Sequence, residues 1–393
     1  MARKASVALL DHFADLTDPR IERTKRHPLT DIIFIAVCAM VCGANDFVAM
    51  EEFGKAKQAW LKKYLRLPHG IPSHDTFGRL FAALDASAFL ACFRSWVESL
   101  AIATQGLLVG FDGKTARASG DAAKEQNPVH VVSAWASENR LLLGQVAVEE
   151  KSNEITAIPR LLAILELHGA IVTIDAMGCQ KEIAAKIRER GADYVLAVKG
   201  NQEHLEEDII GHFGKLDAGE MDGGGLSRFT TKEQSGHGRI EQRFCDALPV
   251  PASLRHPEDW KDLCSICRVT RVYTEHGEKK SEVRYFISSL PANAKRLAGA
   301  IRGHWGIENG LHWVLDMYFG EDRSRARTEH AAENLALLRR WVLSMLRQDT
   351  TTKASVEKKR LKAGWDEDTL ERLLGLCETL NSNVLAAKAG WIL

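Results

Sequence analysis

The sequence predicts a mixed α/β fold: a sheet flanked by helices, preceded by a helical domain and carrying a β-rich insertion before a last functional helix. Residues 1–100 place apolar side chains at helical spacing between short breaks. From residue 107 short apolar runs alternate with helical stretches, and between about 201 and 293 glycine and β-branched residues take over. At 393 residues the chain exceeds one domain of about 150 residues. It is long enough to bury roughly three quarters of its surface without disulfides or a structural metal.

The helical part begins with an apolar run, Ile32 to Ala44, of 13 residues. That is shorter than the roughly 18 to 20 residues that cross a bilayer, so a buried helix is expected and no membrane partner. A mixed stretch from Phe47 to Tyr64 and a break at Pro68, Gly70 and Pro72 follow. Ser73 is a good N-cap for a helix that presents Phe77, Leu80, Phe81 and Leu84 on one face. Next come the strand-like runs LLVGFD, HVVSAWAS and LLLGQVAVE, a helix over 155–167, the strand AIVTID, a helix over 181–190 and the strand YVLAVKG. Three antiparallel-type strands followed by alternating helices and strands form the skeleton of an RNase H-like mixed sheet.

After the glycines at 223–225 two hairpins are expected, turning near 236–238 and near His276 and Gly277. Asn293 caps a further helix, and another covers about 328–347. Four segments result: a helical domain (1–100), the first part of the sheet core (101–200), the β-rich insertion (201–293), and the rest of the core with a helical tail (294–393).

Charge excludes some classes. The 52 basic and 52 acidic side chains cancel, so the chain is no uniformly basic nucleic-acid coat, although local basic surfaces stay open. From Lys295 to Lys362, 14 Lys or Arg face 8 Asp or Glu, and Arg339, Arg340 and Arg347 in this stretch are expected to reach phosphates. The amino terminus lacks the pattern of a secretory signal, and eight dispersed cysteines read as reduced thiols, so a cytoplasmic location is expected. Cys264 and Cys267 form a lone CxxC inside a strand pattern, which disfavours zinc. Gly113, Lys114 and Thr115 resemble the end of a phosphate-binding loop, but Leu108 stands where its first glycine belongs. HExxH and GxSxG motifs are absent.

Asp112 ends the apolar run 107–111, and Asp175 ends the run 171–174. Neighbouring strands ending in carboxylates place hard oxygen ligands at one sheet edge, suited to Mg²⁺ or Mn²⁺; alternatively, each Asp simply starts a turn. A third carboxylate lies on a helix. With Leu297 as origin, Ile301, His304, Glu308, Leu311 and Leu315 fall within about 40° of it, so Glu308 is expected on the core-facing stripe. A carboxylate there needs a metal ion, or an Arg or His, as partner. Gly299, Gly303, Gly306 and Gly310 lie on the opposite face, implying either close approach of another backbone, a neighbouring helix or the inserted β region, or a broken helix.

The segments GFDGKTARAS, TIDAMGCQ, VLAVKGNQ and HWGIENGLHWVLDMYFGEDRSRAR resemble those of insertion-sequence transposases of the H-repeat-associated group, in the DDE superfamily. The opening LLDHFADLTDPRIERTKRHPLTDI is similar to the amino-terminal domain associated with that family, so the resemblance covers nearly the whole chain. It implies an RNase H-like catalytic domain and a metal-binding triad of Asp112, Asp175 and Glu308. Intervals of 63 and 133 residues separate these acids, and the longer one holds the β-rich insertion. Many relatives also carry Tyr, Arg and Lys around the third acid; here His304 stands at the Arg position and Leu315 at the Lys position.

The activity so implied is excision and strand transfer of an insertion sequence, with divalent ions activating water and then a 3′-hydroxyl. Double-stranded DNA, as element ends and as target, is the expected partner, bound by a homodimer and placing the protein on the nucleoid. Lys114, Arg117, Lys199, Asn201 and Gln202 lie beside the strand ends, as DNA contacts or as solvated surface. The helix after Ser73, with Arg79 near its start, either enters a major groove or only packs. Trp305 and Trp313 stack on an extruded base or serve packing. The alternatives are an inactive or domesticated DNA-binding relic and an RNase H-like structure-specific nuclease.

Overall fold

The computed structural model describes residues 8–100, 106–149, 152–220, 223–236, 239–275 and 278–376. The first part is helical: α1 (Ala8–Asp11), α2 (Leu29–Val41), α3 (Phe47–Ala56), α4 (Gln58–Leu61), α5 (His74–Ala83) and α6 (Ala86–Ser99). The apolar run is the core of α2, where Ile32 to Val41 are all inaccessible to solvent. Asp46, Ser73 and Asp85 cap α3, α5 and α6 by accepting a backbone N–H three residues on. Phe77, Leu80 and Phe81 on α5 are buried at the expected spacing.

The sheet begins with β1 (Leu108–Thr115), β2 (His130–Ala136) and β3 (Leu141–Ala147), paired antiparallel. Helix α7 (Glu154–Ile164) leads to β4 (Ile171–Ile174), and α8 (Lys181–Glu189) leads to β5 (Asp193–Val198). β4 lies parallel to both β1 and β5. The order β3-β2-β1-β4-β5 with this polarity is the RNase H-like core.

A helix not read from the sequence, α9 (Glu203–Asp217), precedes β6 (Ser227–Thr230), β7 (Gln234–Gly236), β8 (Arg239–Pro249), β9 (Ser265–Glu275) and β10 (Glu278–Ser288). β7–β8 and β9–β10 are the expected hairpins, and their turn residues 237–238 and 276–277 lie outside the described residues. β10 pairs antiparallel with β5, so the inserted strands extend the core sheet to ten strands. Cys264 is exposed, whereas Cys267 is buried beside Cys245 with 3.3 Å between the sulfurs, so the CxxC pair does not converge as zinc ligands would.

Helix α10 (Ala294–Ile307) continues through a π-helical turn (Glu308–His312) into α11 (Trp313–Phe319). Its glycine face meets the core sheet. A Cβ at Gly303 would collide with Leu108, one at Gly306 would lie 2.8 Å from Ser137 Oγ, and one at Gly310 would lie 3.3 Å from Trp135. Ser137 donates to the Gly303 carbonyl at 3.0 Å. The close neighbour is therefore β1 with the end of β2, neither another helix nor the inserted strands, and the helix is bulged rather than broken.

Helices α12 (Ala331–Gln348), α13 (Val356–Trp365) and α14 (Glu367–Leu373) complete the chain. Trp341 of α12 packs among Phe13, Phe89, Phe93 and Trp96, with ring centroids 5.0 to 6.0 Å away, so the amino-terminal helices share one core with the carboxy-terminal ones. This core overturns the expected basic surface. Arg339 and Arg340 are each 1% exposed, Lys359 and Arg360 are buried, and Arg347 donates to the Gly310 carbonyl. Arg340 pairs with Glu321 at 2.5 Å, and Lys359 and Arg360 donate to the carbonyls of Leu346 and Met40. Much of the excess charge is internal bracing of helix ends and loops. Among the described residues no single helix is long and apolar enough to cross a membrane.

Candidate active site

The parallel pairing of β1 with β4 ends at Phe111 opposite Ile174. Asp112 and Asp175 come next, so their backbones sit side by side, about 4.8 Å apart for neighbouring strands; Asp175 leaves β4 as expected, but β1 runs on through Thr115 paired with β2, so Asp112 lies within its strand rather than at its end. Asp175 turns the chain: its Oδ1 accepts from the N–H of Met177 at 3.1 Å and of Gly178 at 3.4 Å. The π turn brings Glu308 to the same edge. Ligand atoms of Asp112, Glu308 and His312 all lie within 4.8 Å of one another; Asp175 stands outside this tight group.

Glu308 departs from the expected burial, its side chain being 58% exposed. Leu297, Leu311 and Leu315 of the same stripe are buried, as expected, so Glu308 is the exception on it. At Glu308 it passes the open end of the parallel strands, and the carboxylate emerges into the cleft there. Its partner within the chain is a histidine: His312 Nδ1 lies 3.3 Å from Glu308 Oε2 and 3.5 Å from Asp112 Oδ2.

Burial pushes the Asp112 carboxyl up to about 6; His312 opposes this, and the charges of Glu154 and Asp175 add to it. The bond to His312 holds Glu308 below the usual range of a glutamate. Burial lowers His304, whose Nδ1 is 3.0 Å from the Thr173 hydroxyl. Glu154 and His130 form a 2.7 Å pair against Gly113, where any Cβ would strike both. The absent side chain at 113 thus admits a further carboxylate beside Asp112. Several acids at one open edge, with one held protonated to unusually high pH, make a donor set that a divalent cation fits.

The other predicted contacts have varied surroundings. Lys114 Nζ is 2.8 Å from Asp316 and 3.5 Å from Asp322, tying β1 to α11 and the segment after it. Arg117 is exposed and lies 3.4 Å from Asp322. Lys199 is exposed at the rim of a cavity of about 430 Å³ shared with Asp175, His304 and Trp305. Asn201 donates to the Ala176 carbonyl at 2.7 Å and Gln202 to the Cys179 carbonyl at 2.9 Å, so both brace the turn that carries Asp175. Arg79 lines a separate groove of about 870 Å³ between α5 and residues 320–329, together with Arg323, Arg325 and Arg327. Arg327 pairs with Asp121, whereas Arg79, Arg323 and Arg325 are exposed and make no ion pair among the described residues. Trp305 and Trp313 are 46% and 49% exposed.

His312, His130 and Glu154 were not read from the sequence. For His312 a signal exists, since it follows Glu308 by four residues and so shares its helix face. His130 and Glu154 carry none, because only the sheet brings them to Gly113.

Comparison with known proteins agrees with this architecture. The Transposase DDE domain family matches residues 76–345, and its companion, described as DDE_Tnp_1-associated, matches residues 10–97. "Putative transposase YncI" of Escherichia coli O157:H7 is 40% identical over 377 residues, covering 95% of this chain and 96% of that one. "H repeat-associated putative transposase YhhI" of Escherichia coli (strain K12) is 36% identical over 371 residues, covering 93% and 97%. "Inactive transposase YbfQ" of the same strain is 35% identical over 72 residues, 18% of this chain and 86% of that one. With a matching domain that spans most of its length and relatives alike from end to end, the chain belongs to the DDE transposase family, in its H repeat-associated group.

Proposed function

We propose that the protein cuts the ends of an insertion sequence and transfers the freed 3′-hydroxyl strand to target DNA, with Asp112, Asp175 and Glu308 as its metal-binding triad. The observation that carries this reading is the β1–β4 register, which sets Asp112 and Asp175 side by side just past the last parallel pair, with Glu308 brought beside Asp112. Mg²⁺ or Mn²⁺ bound there supplies Lewis acidity, lowering the pKa of water or of a 3′-hydroxyl and neutralising charge on the phosphodiester. The chain's own residues set the geometry. Backbone N–H groups of Met177 and Gly178 aim Asp175, Asn201 and Gln202 hold that turn, and Lys114 locks β1 to the helix bearing Glu308. The test is direct: incubated with the ends of its own element and Mg²⁺, the protein breaks strands at the element boundary, and ends left intact would refute the reading.

The partner is double-stranded DNA, and two ends have to be held together, so two copies act on it, in the cytoplasm at the nucleoid. We assign phosphate contacts to the groove of Arg79, Arg323 and Arg325, with Arg117 and Lys199 nearer the acids. Each phosphate neutralised adds about 0.9 to the slope of log affinity against log salt. Replacing the three groove arginines by Ala therefore lowers the slope by about 2 to 3, measured by fluorescence anisotropy over a salt series. An unchanged slope would place the DNA elsewhere. The relic reading draws on the relative named inactive, and the nuclease reading predicts cleavage without joining.

A further inference from the structure

We infer that His312 is a metal ligand, so that the two ion positions around Asp112 differ: an oxygen-only position toward Asp175, and a mixed nitrogen and oxygen position among Asp112, Glu308 and His312 that favours Mn²⁺ over Mg²⁺. This rests on the proposal that the acids bind divalent ions, and goes beyond it in assigning a donor outside the triad.

Two observations support it. The Nδ1 atom stands 3.3 Å from one carboxylate oxygen and 3.5 Å from another. Adjacent ligands of an octahedral ion with bonds of about 2.1 Å are separated by about 3 Å, so a small contraction of the trio encloses an ion. Second, the imidazole is 4% exposed although Glu308 beside it is open to solvent, so the ring occupies a built position in the wall of the cleft.

A neutral ring turns either a lone pair or an N–H toward the carboxylates. The lone pair is a ligand once a cation sits between the three groups, and the carboxylate charge then requires such a cation. The N–H form would make His312 a positioning residue, and spectroscopy separates the two. Nitrogen is a softer donor than oxygen, and Mg²⁺ prefers oxygen ligands and retained water, hence the preference for Mn²⁺. A π-helical turn running from Glu308 to His312 fits this role, since such bulges recur where a helix serves a site.

The experiment loads the full chain with Mn²⁺, without DNA, and records pulsed EPR and a binding isotherm. The parent is expected to show ¹⁴N modulation from a coordinated imidazole. His312→Gln removes the modulation and weakens one Mn²⁺ position by roughly 10- to 100-fold, the scale of losing a group that supports a metal centre. It changes Mg²⁺ binding less. Asp175→Asn is the companion variant: it loses the oxygen-only ion and keeps the modulation, as does His304→Gln. Modulation that is absent in the parent, or that survives in a folded His312→Gln protein, overturns the assignment of His312 while leaving a carboxylate centre standing. A parent that binds no Mn²⁺ overturns both.

Discussion

Asp112→Ala, Asp175→Ala and Glu308→Ala are each expected to remove strand cleavage and joining by at least about 100- to 1000-fold, the scale on which one preorganised electrostatic group acts in a reaction. Binding to element ends should persist, because the arginine groove to which we assign it lies apart from the acids. Glu308 makes the sharpest case. Its carboxylate is 58% exposed, so its removal leaves no buried charge stranded and the melting temperature should hardly move. Glu321 provides the contrast. It pairs with Arg340 where both side chains are 1% exposed, and Glu321→Ala should cost about 3–5 kcal/mol by orphaning that guanidinium. Thermal melts, end binding and cleavage on these four variants separate a chemical role from a structural one. Glu308→Ala protein whose activity merely follows its folded fraction would identify Glu308 as structural.

The second large effect is on stability and has the opposite sign. Burial, reinforced by Glu154 and Asp175, raises the Asp112 carboxyl from 3.8 to about 6 in the folded chain. A raised acid favours the fold while it is protonated, and that contribution is lost as pH rises from about 4 through about 6. At pH 7.5 the ionised group therefore opposes folding by about 1–3 kcal/mol, at about 1.4 kcal/mol per unit with allowance for relaxation around it. Asp112→Asn should accordingly stabilise the metal-free protein at pH 7.5 and make little difference at pH 4. Divalent ions should stabilise the parent at pH 7.5 and not the variant, with the effect on the parent fading below pH 6 as Asp112 takes up a proton. Melting curves in EDTA and in Mn²⁺ at both pH values check this. An equal shift at the two pH values would assign the change to packing.

The parts of this arrangement legible in the sequence are those written in local pattern. Apolar runs broken by a single carboxylate located Asp112 and Asp175 where the parallel pairing stops, although β1 itself runs on, and helical periodicity put Glu308 on a stripe whose Leu297, Leu311 and Leu315 are buried. Periodicity says nothing of where the sheet stops, so the same wheel that found the face misjudged its burial. Glycine spacing announced a close neighbour, but only the packing shows Leu108, Ser137 and Trp135 filling that role. Counting charges between Lys295 and Lys362 misled for a related reason. Arg339 and Arg360 satisfy carbonyls that lie far away in the chain and Arg340 a buried glutamate within the same stretch, and a count is blind to such partners. The pair His130–Glu154 beside Gly113 is likewise a product of strand pairing and helix docking.

The central claim is that this acid cluster performs strand transfer. Its most direct test supplies the purified protein and Mg²⁺ with pre-cleaved element ends, each bearing a free 3′-hydroxyl, and a supercoiled target plasmid. The parent is expected to join the 3′-ends covalently to the plasmid, and Asp175→Ala protein that still binds the ends is expected to join none. Parent protein that binds these ends and nicks DNA without ever joining them, or an Asp175→Ala variant that joins them as well as the parent, would contradict it.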